Sequence, residues 1–362
     1  MEPCSGIRIA WRCSLDNLQI ALVGAGVMGR QHIEVIARSS AARLCAIADP
    51  GPETEALADG LGVACFADPD ALLERVRPDA VIVANPNALH VTTALQCVER
   101  GIPVLLEKPV ATDLAQVRQL VDACERTRVP VLVGHHRRHN PLIVRARQLL
   151  DEQALGRLTT VTAMWQLQKP DSYYDAPWRR GPGAGLLLTN LIHDLDLLRY
   201  LCGEVRQVQA FLDNGVRGFD NEDSAAVILR FENGAVGSLT ASDAVAAPWS
   251  WELDAGENPV YPRQFDQPCY LLAGTHGALS LPQLQRWQYV QPGDGWHQPL
   301  LRHSEPIPAG DALSRQFDHF LAVVRGEAAP LIDAADAGRT LALVEAIERA
   351  AQTGSTYEPE RL

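Results

Sequence analysis

The sequence predicts an α/β protein in two domains, an N-terminal doubly wound parallel sheet and a C-terminal α+β domain with a large, mostly antiparallel sheet. With 362 residues, the chain is longer than one hydrophobic core usually serves. From Leu18 to about Gly134, short apolar runs alternate with helical patterns, which is the rhythm of βαβ units. After Gly134, longer runs alternate apolar with polar residues, as antiparallel strands with one covered face do. We therefore expect an N-terminal extension at 1–17, a first domain at 18–134 and a second domain at 135–362.

The first domain reads as a series of strands that are each followed by a helix. Runs such as 81–84 and 104–106 are apolar throughout, as strands covered on both faces should be. Asp113 is placed to cap the helix that follows it. The predicted strands are 18–23, 43–48, 63–66, 80–84, 103–106 and 129–133, and the predicted helices are 30–37, 53–59, 69–75, 91–100 and 114–126.

The second domain reads as α+β. The segment 232–234, Glu-Asn-Gly, is a hairpin signal between two strands, and 246–268 reads as a long loop rich in Pro and Trp. The predicted strands are 157–168, 205–212, 224–231, 235–241, 270–272, 278–281 and 287–290, and the predicted helices are 141–150, 313–324 and 334–351. We expect one face of this sheet to be open, and another subunit usually covers such a face.

Composition and charge exclude several classes of partner. The formal net charge of −12 disfavours nucleic acid and anionic membranes, and no apolar run approaches the ~20 residues of a membrane span. Residues 1–16 contain no continuous apolar stretch and do not resemble a signal peptide. The eight cysteines are scattered without any C-x-x-C pair, which favours free thiols in a reducing cytoplasm.

A glycine-rich turn, G-x-G-x-x-G, follows the first strand and opens a helix. In this context Gly24 allows the tight turn, Gly26 lets a pyrophosphate approach the backbone, and Gly29 lets the helix pack against the strand. Val27 and Met28 begin the helix, so their amides face the bound anion. The turn predicts a dinucleotide-binding Rossmann domain. A Rossmann-like domain without a dinucleotide is the alternative.

Asp49 ends the second strand, at the distance where a carboxylate accepts hydrogen bonds from the adenosine ribose. Its charge would repel a ribose 2′-phosphate, and the following residues 50–53 offer no Arg or Lys to hold one. We therefore expect NAD as the cofactor rather than NADP. As an alternative, Asp49 is a simple turn residue before Pro50.

Glu107-Lys108-Pro109 stands at the end of a strand, on the edge of the sheet where the cofactor is expected. A lysine held near a nicotinamide can hydrogen-bond the oxygen of a substrate, and burial would lower its pKa. A solvated Glu-Lys pair is the alternative. The positions that directly follow strands, and so share one edge of the sheet, are Gly24, Asp49, Asn85, Glu107, Lys108 and His135.

A second candidate is His193, on a helix that follows the glycine-rich loop 181–185. An apolar stripe at helical spacing is formed by Leu188, Leu191, Leu195 and Leu198. A different face of the helix is shared by Thr189, His193, Asp196 and Tyr200. A histidine in such a position can serve as acid or base near pH 7, although in isolation it is more often structural.

Two further segments carry candidate ligand-binding residues. Segment 134–141 holds three histidines, but no Cys or carboxylate stands at a ligand spacing nearby, so we expect no metal site. We interpret it as a segment that meets substrate or cofactor, with Arg137 among the contacts. In segment 173–180, aromatic residues and Arg179 suit a polar ring such as a sugar, with Trp178 beside it. A surface loop with Trp178 buried is the alternative.

Together these motifs resemble the glucose–fructose oxidoreductase / inositol dehydrogenase family (Gfo/Idh/MocA), over 18 to about 354. The residues that carry the resemblance are the 24–29 loop, Asp49, the run 84–90, Glu107-Lys108-Pro109, Trp178-Arg179, the 183–185 loop, His193 and Asp196. The resemblance implies an N-terminal Rossmann domain and a C-terminal domain that binds substrate and builds dimers or tetramers through its sheet.

The resemblance also implies roles for single residues. Lys108 and His193 would handle the proton, and Asn85, His90 and Glu107 would lie near the cofactor. Many members place an aspartate one turn before the histidine, where this chain has Thr189. A threonine can orient a hydroxyl but cannot take a proton at neutral pH. Thr189 and the neighbouring Asn190 are therefore expected to contact substrate.

The sequence thus predicts a cytoplasmic, NAD-dependent dehydrogenase of a sugar, inositol or related cyclic alcohol. A carboxylated cyclohexadiene diol is a second substrate class, because Arg137, Arg138 and Arg179 could hold a carboxylate. A non-catalytic NAD-binding sensor on the same fold is the alternative from another class. A tightly held cofactor, recycled between two substrates, is a third option.

Overall fold

The computed structural model describes residues 17–264, 266–291, 293–306 and 310–362. The predicted extension 1–17 lies, except for Asn17, outside the described residues. The chain forms two compact units. The first contains the chain to Gly134 together with Gln316–Ala334, and the second contains His135–Arg315 together with Ala335–Leu362.

The first unit is built on a parallel sheet of six strands in the order β3-β2-β1-β4-β5-β6. This is the Rossmann order, and it confirms the predicted fold class. The strands are β1 (Leu18–Val23), β2 (Ala42–Ala48), β3 (Ala64–Phe66), β4 (Ala80–Val83), β5 (Val104–Leu106) and β6 (Val131–Val133). The helices between them are α1 (Val27–Arg38), α2 (Thr54–Leu61), α3 (Pro69–Arg75), α4 (His90–Val98) and α5 (Leu114–Thr127).

Local capping chemistry explains where two of these helices begin. The Asp113 carboxylate accepts a hydrogen bond from the Gln116 amide at 2.9 Å, which confirms the predicted cap of α5. Asp68 does the same for α3, accepting from the Ala71 amide at 2.8 Å, with Pro69 in the first turn of the helix.

The second unit is built on a sheet of eight strands in the order β14-β13-β12-β11-β7-β10-β9-β8. All neighbours are antiparallel except β7 and β10, which run parallel. The strands are β7 (Leu158–Gln166), β8 (Val205–Asp213), β9 (Ser224–Phe231), β10 (Val236–Ser242), β11 (Tyr270–Gly274), β12 (Ala278–Leu281), β13 (Gln285–Tyr289) and β14 (Leu300–Ser304). The remaining helices are α6 (Pro141–Asp151), α7 (Ile192–Cys202), α8 (Trp251–Asp254), α9 (Ala312–Val324) and α10 (Ala334–Thr353).

The hairpin predicted at 232–234 is confirmed, and two elements of this unit were not predicted. Gly234 has φ of +90°, and the Phe231 amide donates to the Ala235 carbonyl at 2.9 Å between β9 and β10. Helix α8 falls in the segment predicted as a loop, where the Ser250 hydroxyl accepts from the Leu253 amide at 3.3 Å. A single helical turn is too brief to leave a periodic pattern, and β14 is a mostly exposed edge strand that lacks the alternation of a half-buried strand.

The segment Gln316–Ala334, which includes most of α9, departs from the predicted division at 134/135. It belongs to the first unit, whereas the prediction placed it in the second. The Val133 amide, at the edge strand of the parallel sheet, donates to the Ile332 carbonyl at 2.9 Å. Phe317 and Phe320 are fully buried, so the segment covers apolar surface that a domain ending at residue 134 would expose.

The sheet of the second unit has one buried and one exposed face. Along β9, Val227 and Leu229 are buried, while Ile228 between them is 55% exposed. Phe211 on β8 is 80% exposed and Leu271 on β11 is 42% exposed.

None of the helices in the described ranges is long and apolar enough to cross a membrane.

Candidate functional site

The glycine loop of the first unit has the geometry that a dinucleotide requires. Gly24 has φ of +94°, and a Cβ there would lie 2.4 Å from the Ala84 carbonyl oxygen. At Gly29 a Cβ would lie 2.0 Å from the Gly24 carbonyl oxygen, so helix and strand approach as closely as glycine permits. At Gly26 a Cβ would meet nothing within 4 Å. The open backbone is therefore at Gly26, where the pyrophosphate is expected.

Helix α1 begins at this open position. Gly26 is the N-cap, no side chain caps the helix, and no acidic residue lies in the first turn. Val27 is 74% exposed, and Met28 is half-buried beside it. The positive end of the helix dipole is thus directed at an uncovered surface, which favours an anionic ligand.

Asp49 connects the end of β2 to the glycine loop. One carboxylate oxygen accepts from the Ala25 amide at 2.7 Å, and the other accepts from the Gly51 amide at 2.6 Å and the Thr54 hydroxyl at 3.2 Å. These bonds fix the orientation of the carboxylate. The carboxylate that was predicted to bind the ribose is therefore held next to the glycine loop. We call the glycine loop 24–29 together with Asp49 the cradle.

His90, expected near the cofactor, has a buried side chain that connects two loops. Nδ1 lies 2.7 Å from the Pro109 carbonyl oxygen, and Nε2 lies 2.9 Å from the Asn85 carbonyl oxygen. Burial lowers the pKa of His90, while its contacts with the two carbonyl oxygens oppose that effect. Asn85 donates from its side chain to the Thr93 hydroxyl at 2.9 Å. His90 thus holds the loop after β4 against the loop that carries Lys108.

Glu107 is buried and accepts a hydrogen bond from a histidine that the sequence analysis did not single out. His32 on α1 places Nε2 2.8 Å from Glu107 Oε1, and the Lys108 amide donates to Glu107 Oε2 at 3.2 Å. A Cβ at Gly134 would lie 3.1 Å from the Glu107 carboxylate. The pair joins the glycine-loop helix to the loop of Lys108, whose own side chain is half-buried. The sequence signal that could have identified His32 is a polar residue on the helix face that is otherwise apolar and faces the core.

In the second unit, the His193 ring packs against the rings of two other histidines, His135 and His136. Its ring centroid lies 6.0 Å from that of His135 and 5.1 Å from that of His136, with both pairs edge to face. His136 Nε2 lies 3.6 Å from Glu257 Oε2. Burial alone would raise the pKa of Glu257, but the contacts with His136 and Arg137 hold it at about 2. The carboxylate is therefore charged at neutral pH, next to the ring that contacts His193.

The expected apolar stripe of the His193 helix is confirmed at Leu191, Leu195 and Leu198, which are buried, but the expected polar face is not exposed. Leu188, assigned to the apolar stripe, is only half-buried, whereas His193 and Asp196 are at most 8% exposed. A π-helical turn at Leu187–Leu191 adds a residue to one turn, which changes the angular position of Leu188 and Thr189 relative to the residues of α7. In α7 itself every residue except Tyr200 is buried.

Thr189 and Asn190 both lie within this π-helical turn. The Thr189 hydroxyl is 2.8 Å from the Gly185 carbonyl oxygen and 2.9 Å from Asn190 Oδ1. Glu222 accepts from the Leu187 amide at 2.8 Å, so a carboxylate holds the start of the turn. Both predicted substrate residues are half-buried.

Arg137, predicted to contact substrate, is buried and already paired with two carboxylates. Its guanidinium donates to Asp194 at 3.3 Å and to Glu252 at 2.6 Å. Asp194 also accepts from the Tyr270 hydroxyl, and burial raises the pKa of Asp194 to about 6 against the effect of Arg137. The Arg137 guanidinium is therefore engaged by two protein carboxylates, and its contact with substrate stays a prediction.

Arg138 is engaged in the same way. It donates to both oxygens of Asp196, at 2.8 and 2.6 Å, and to Asp336 at 2.5 Å. Burial would raise the pKa of Asp196, but His135 and Arg138 hold it below its usual value. These contacts join the segment before α6 to the helix of His193, and removing one partner of such a buried pair strongly destabilises a protein.

Trp178 and Arg179 form a stack at the surface of the second unit. The Arg179 guanidinium lies 4.1 Å from the centroid of the Tyr173 ring and 5.3 Å from that of Trp178. It also donates to the Tyr173 carbonyl at 2.7 Å. Trp178 is 62% exposed, so the alternative of a buried tryptophan is wrong. Flat, partly exposed groups of this kind suit a polar ring.

Segment 134–141 does not gather metal ligands in the structure. Within the described ranges, no group of three or more His, Cys, Asp or Glu side chains is placed to hold a metal ion.

The comparisons with known proteins agree with this geometry. Residues 18–135 match the model of the oxidoreductase family with an NAD-binding Rossmann fold, and residues 143–280 match the GFO/IDH/MocA C-terminal domain. The chain is 29% identical over 191 residues to the rhizopine catabolism protein MocA of Rhizobium meliloti, covering 52% of this chain and 59% of that protein. It is 32% identical over 225 residues to inositol 2-dehydrogenase 2 of Saccharopolyspora erythraea, covering 60% and 64%. The matched region thus spans about three-fifths of the length of these two relatives.

A solved structure resembles the chain over nearly its whole length. The WlbA dehydrogenase from Bordetella pertussis, in complex with NADH and UDP-GlcNAcA, is 25% identical with a TM-score of 0.79. The similarity covers 96% of this chain and all of that one. With an N-terminal and a C-terminal domain that both match models of one family, the chain belongs to the Gfo/Idh/MocA family of oxidoreductases.

Proposed function

We propose that this protein is an NAD-dependent dehydrogenase that acts on a secondary alcohol of a sugar, inositol or related ring. The observation that carries the proposal is the cradle of the first unit, with open backbone at Gly26, an uncapped helix start and the fixed Asp49 carboxylate. When bound, NAD supplies the hydride acceptor.

The proposed chemistry needs two proton-handling groups. Lys108 hydrogen-bonds the reacting oxygen, and His193 accepts its proton. Lys108 is held by a loop whose backbone contacts both Glu107 and His90, and His193 is held on a helix in which every residue except Tyr200 is buried. Each group is thus fixed within its own unit, and fixed positions of reacting groups are a large part of what an enzyme supplies.

Among substrate classes, a neutral polyol is favoured over a carboxylated cyclohexadiene diol. Two of the three arginines proposed for a carboxylate, Arg137 and Arg138, are neutralised by protein carboxylates, which leaves Arg179. The relative from Saccharopolyspora erythraea is named an inositol 2-dehydrogenase, in agreement with a polyol. WlbA was crystallised with a sugar nucleotide that carries a carboxylate, so sugar acids belong among the test substrates.

We also propose a cytoplasmic homodimer or homotetramer assembled through the open face of the eight-stranded sheet. Phe211, Ile228 and Leu271 expose apolar surface on that face. The six cysteines in the described ranges are free thiols, in accord with a reducing compartment.

The test is reduced-nicotinamide absorbance while the protein meets NAD and a panel of inositols, aldoses, sugar acids and ring diols. We expect turnover with one substrate class, and a loss of at least about a hundredfold in kcat in His193→Ala, because general-base catalysis typically contributes that much. Calorimetry with NAD provides the control for folding and cofactor binding. Binding without turnover across the panel would favour the sensor, an alternative kept open by Thr189 at the position where the family often has aspartate.

A further inference from the structure

An ion pair joins the glycine-loop helix to the loop that follows β2. Arg30 follows Gly29 in α1, and its guanidinium Nη2 lies 3.2 Å from Glu53 Oε2. The Arg30 and Glu53 side chains are 48% and 85% exposed, so the pair faces the solvent side of the cradle. Residues 50–53 contain no cation of their own, but the fold brings one to them from a different element.

The pair lies against the same loop as the carboxylate expected to bind the ribose. Thr54, the residue after Glu53, donates its hydroxyl to Asp49 at 3.2 Å, and Gly51 donates its amide to the same oxygen at 2.6 Å. This short loop therefore places Glu53, and with it the Arg30 guanidinium, close to the Asp49 carboxylate, which is expected to contact the ribose 2′ position.

An arginine at this edge is what a ribose 2′-phosphate would need, because guanidinium binds phosphate with two parallel hydrogen bonds. Glu53 neutralises that arginine, and with Asp49 it gives the loop two carboxylates that repel a phosphate. Removing Asp49 alone would leave this second carboxylate in place.

We propose that Glu53 masks Arg30 and is a determinant of the preference for NAD over NADP. The inference rests on the proposed function, since it requires that the cradle binds a dinucleotide. It predicts that the chain already holds a phosphate-binding arginine, and that one substitution makes this arginine available.

The experiment is a fluorescence titration of NADH and NADPH with the full-length chain at low ionic strength, where screening is weakest. We expect Glu53→Gln to raise the affinity for NADPH relative to NADH by about three- to fivefold, because the released arginine becomes available to the 2′-phosphate and an exposed ion pair is worth no more than that factor. Adding Arg30→Gln to that variant should abolish the gain. Arg30→Gln alone should leave the ratio within about twofold, because the arginine is already neutralised.

Glu55→Gln is the matched control, since Glu55 is exposed on the first turn of α2 and its loss changes the net charge equally. An equal gain in Glu55→Gln would overturn the proposal, because it would show a general effect of charge. An unchanged ratio in Glu53→Gln, with both nucleotides binding, would also overturn it and leave the proposed function intact. Failure of both nucleotides to bind the wild-type chain would instead refute the proposed function, and with it this inference.

Discussion

Glu107 illustrates how a residue of a recognisable motif depends on a partner that the motif does not contain. Its carboxylate is buried, accepts from His32 on α1 and from the Lys108 amide, and packs against Gly134. A buried carboxylate without such donors would be costly, because desolvation penalises its charge. At the residue scale, His32 therefore determines how Glu107, and through it the backbone of Lys108, is oriented.

We expect His32→Leu to lower kcat by about tenfold with little change in KM for NAD, because the Lys108 loop loses its fixed position. His32→Gln should recover part of this loss, since its amide can still donate to Glu107. Steady-state kinetics, with the folded fraction measured by thermal unfolding, separates the two effects. If the folded His32→Leu variant turned over like wild type, the pair would be structural only.

Helix α1 and its glycine loop act as one element with two separate requirements. Gly29 is needed for packing, because a side chain there would meet the backbone of Gly24. Gly26 is needed for the ligand, because the space around it is open. The segment before helix α7 does not follow regular helical spacing. A π-helical turn at Leu187–Leu191 moves residues there away from the faces that this spacing assigns.

The two glycines should respond differently to the same substitution. We expect Gly29→Ala to lower the stability of the fold by several kcal/mol, since a contact of 2.0 Å forces the backbone to move. Gly26→Ala should keep the wild-type Tm, because its φ of −68° suits alanine, yet lose NADH affinity by about tenfold or more. Thermal unfolding and NADH fluorescence measure the two properties. Equal loss of Tm in both variants would contradict this assignment.

The whole molecule combines a sheet covered on both faces with a sheet that has one open face. In the first unit the central strands are fully buried, and Gln316–Ala334 returns from late in the chain to extend the cover. In the second unit, Phe211 and Ile228 expose apolar side chains on the face away from the core. A contiguous apolar face of this kind is typical of a subunit interface.

Replacing Phe211 and Ile228 together by serine should therefore reduce the mass of the assembly in solution while each chain stays folded. Light scattering coupled to size exclusion reports the mass, and circular dichroism reports the fold. Val260→Ser, at a position 82% exposed in a loop, is the control and should leave the mass unchanged. An unaltered mass in the double variant would place the interface elsewhere or show that none exists.

What the sequence determined by itself was local in character. The glycine loop, the Asp113 cap, the hairpin at 232–234 and the position of Lys108 after a strand follow from residues close together in the chain. Hydrophobic periodicity predicted both sheets. A strand with one buried face alternates apolar and polar residues, and a strand buried on both faces is apolar throughout, so each is visible within a few residues. The family resemblance rested on these same local motifs in their order.

The tertiary structure decided which of the charged candidates are available. Arg137 pairs with Glu252, 115 residues away, and Arg30 pairs with Glu53, 23 residues away, so neither pairing leaves a local signal. The same holds for His32 with Glu107, and for the return of Gln316–Ala334 to the first unit. Buried charges such as those of Arg137 and Glu107 must have partners, and only the folded chain determines which partners are within reach.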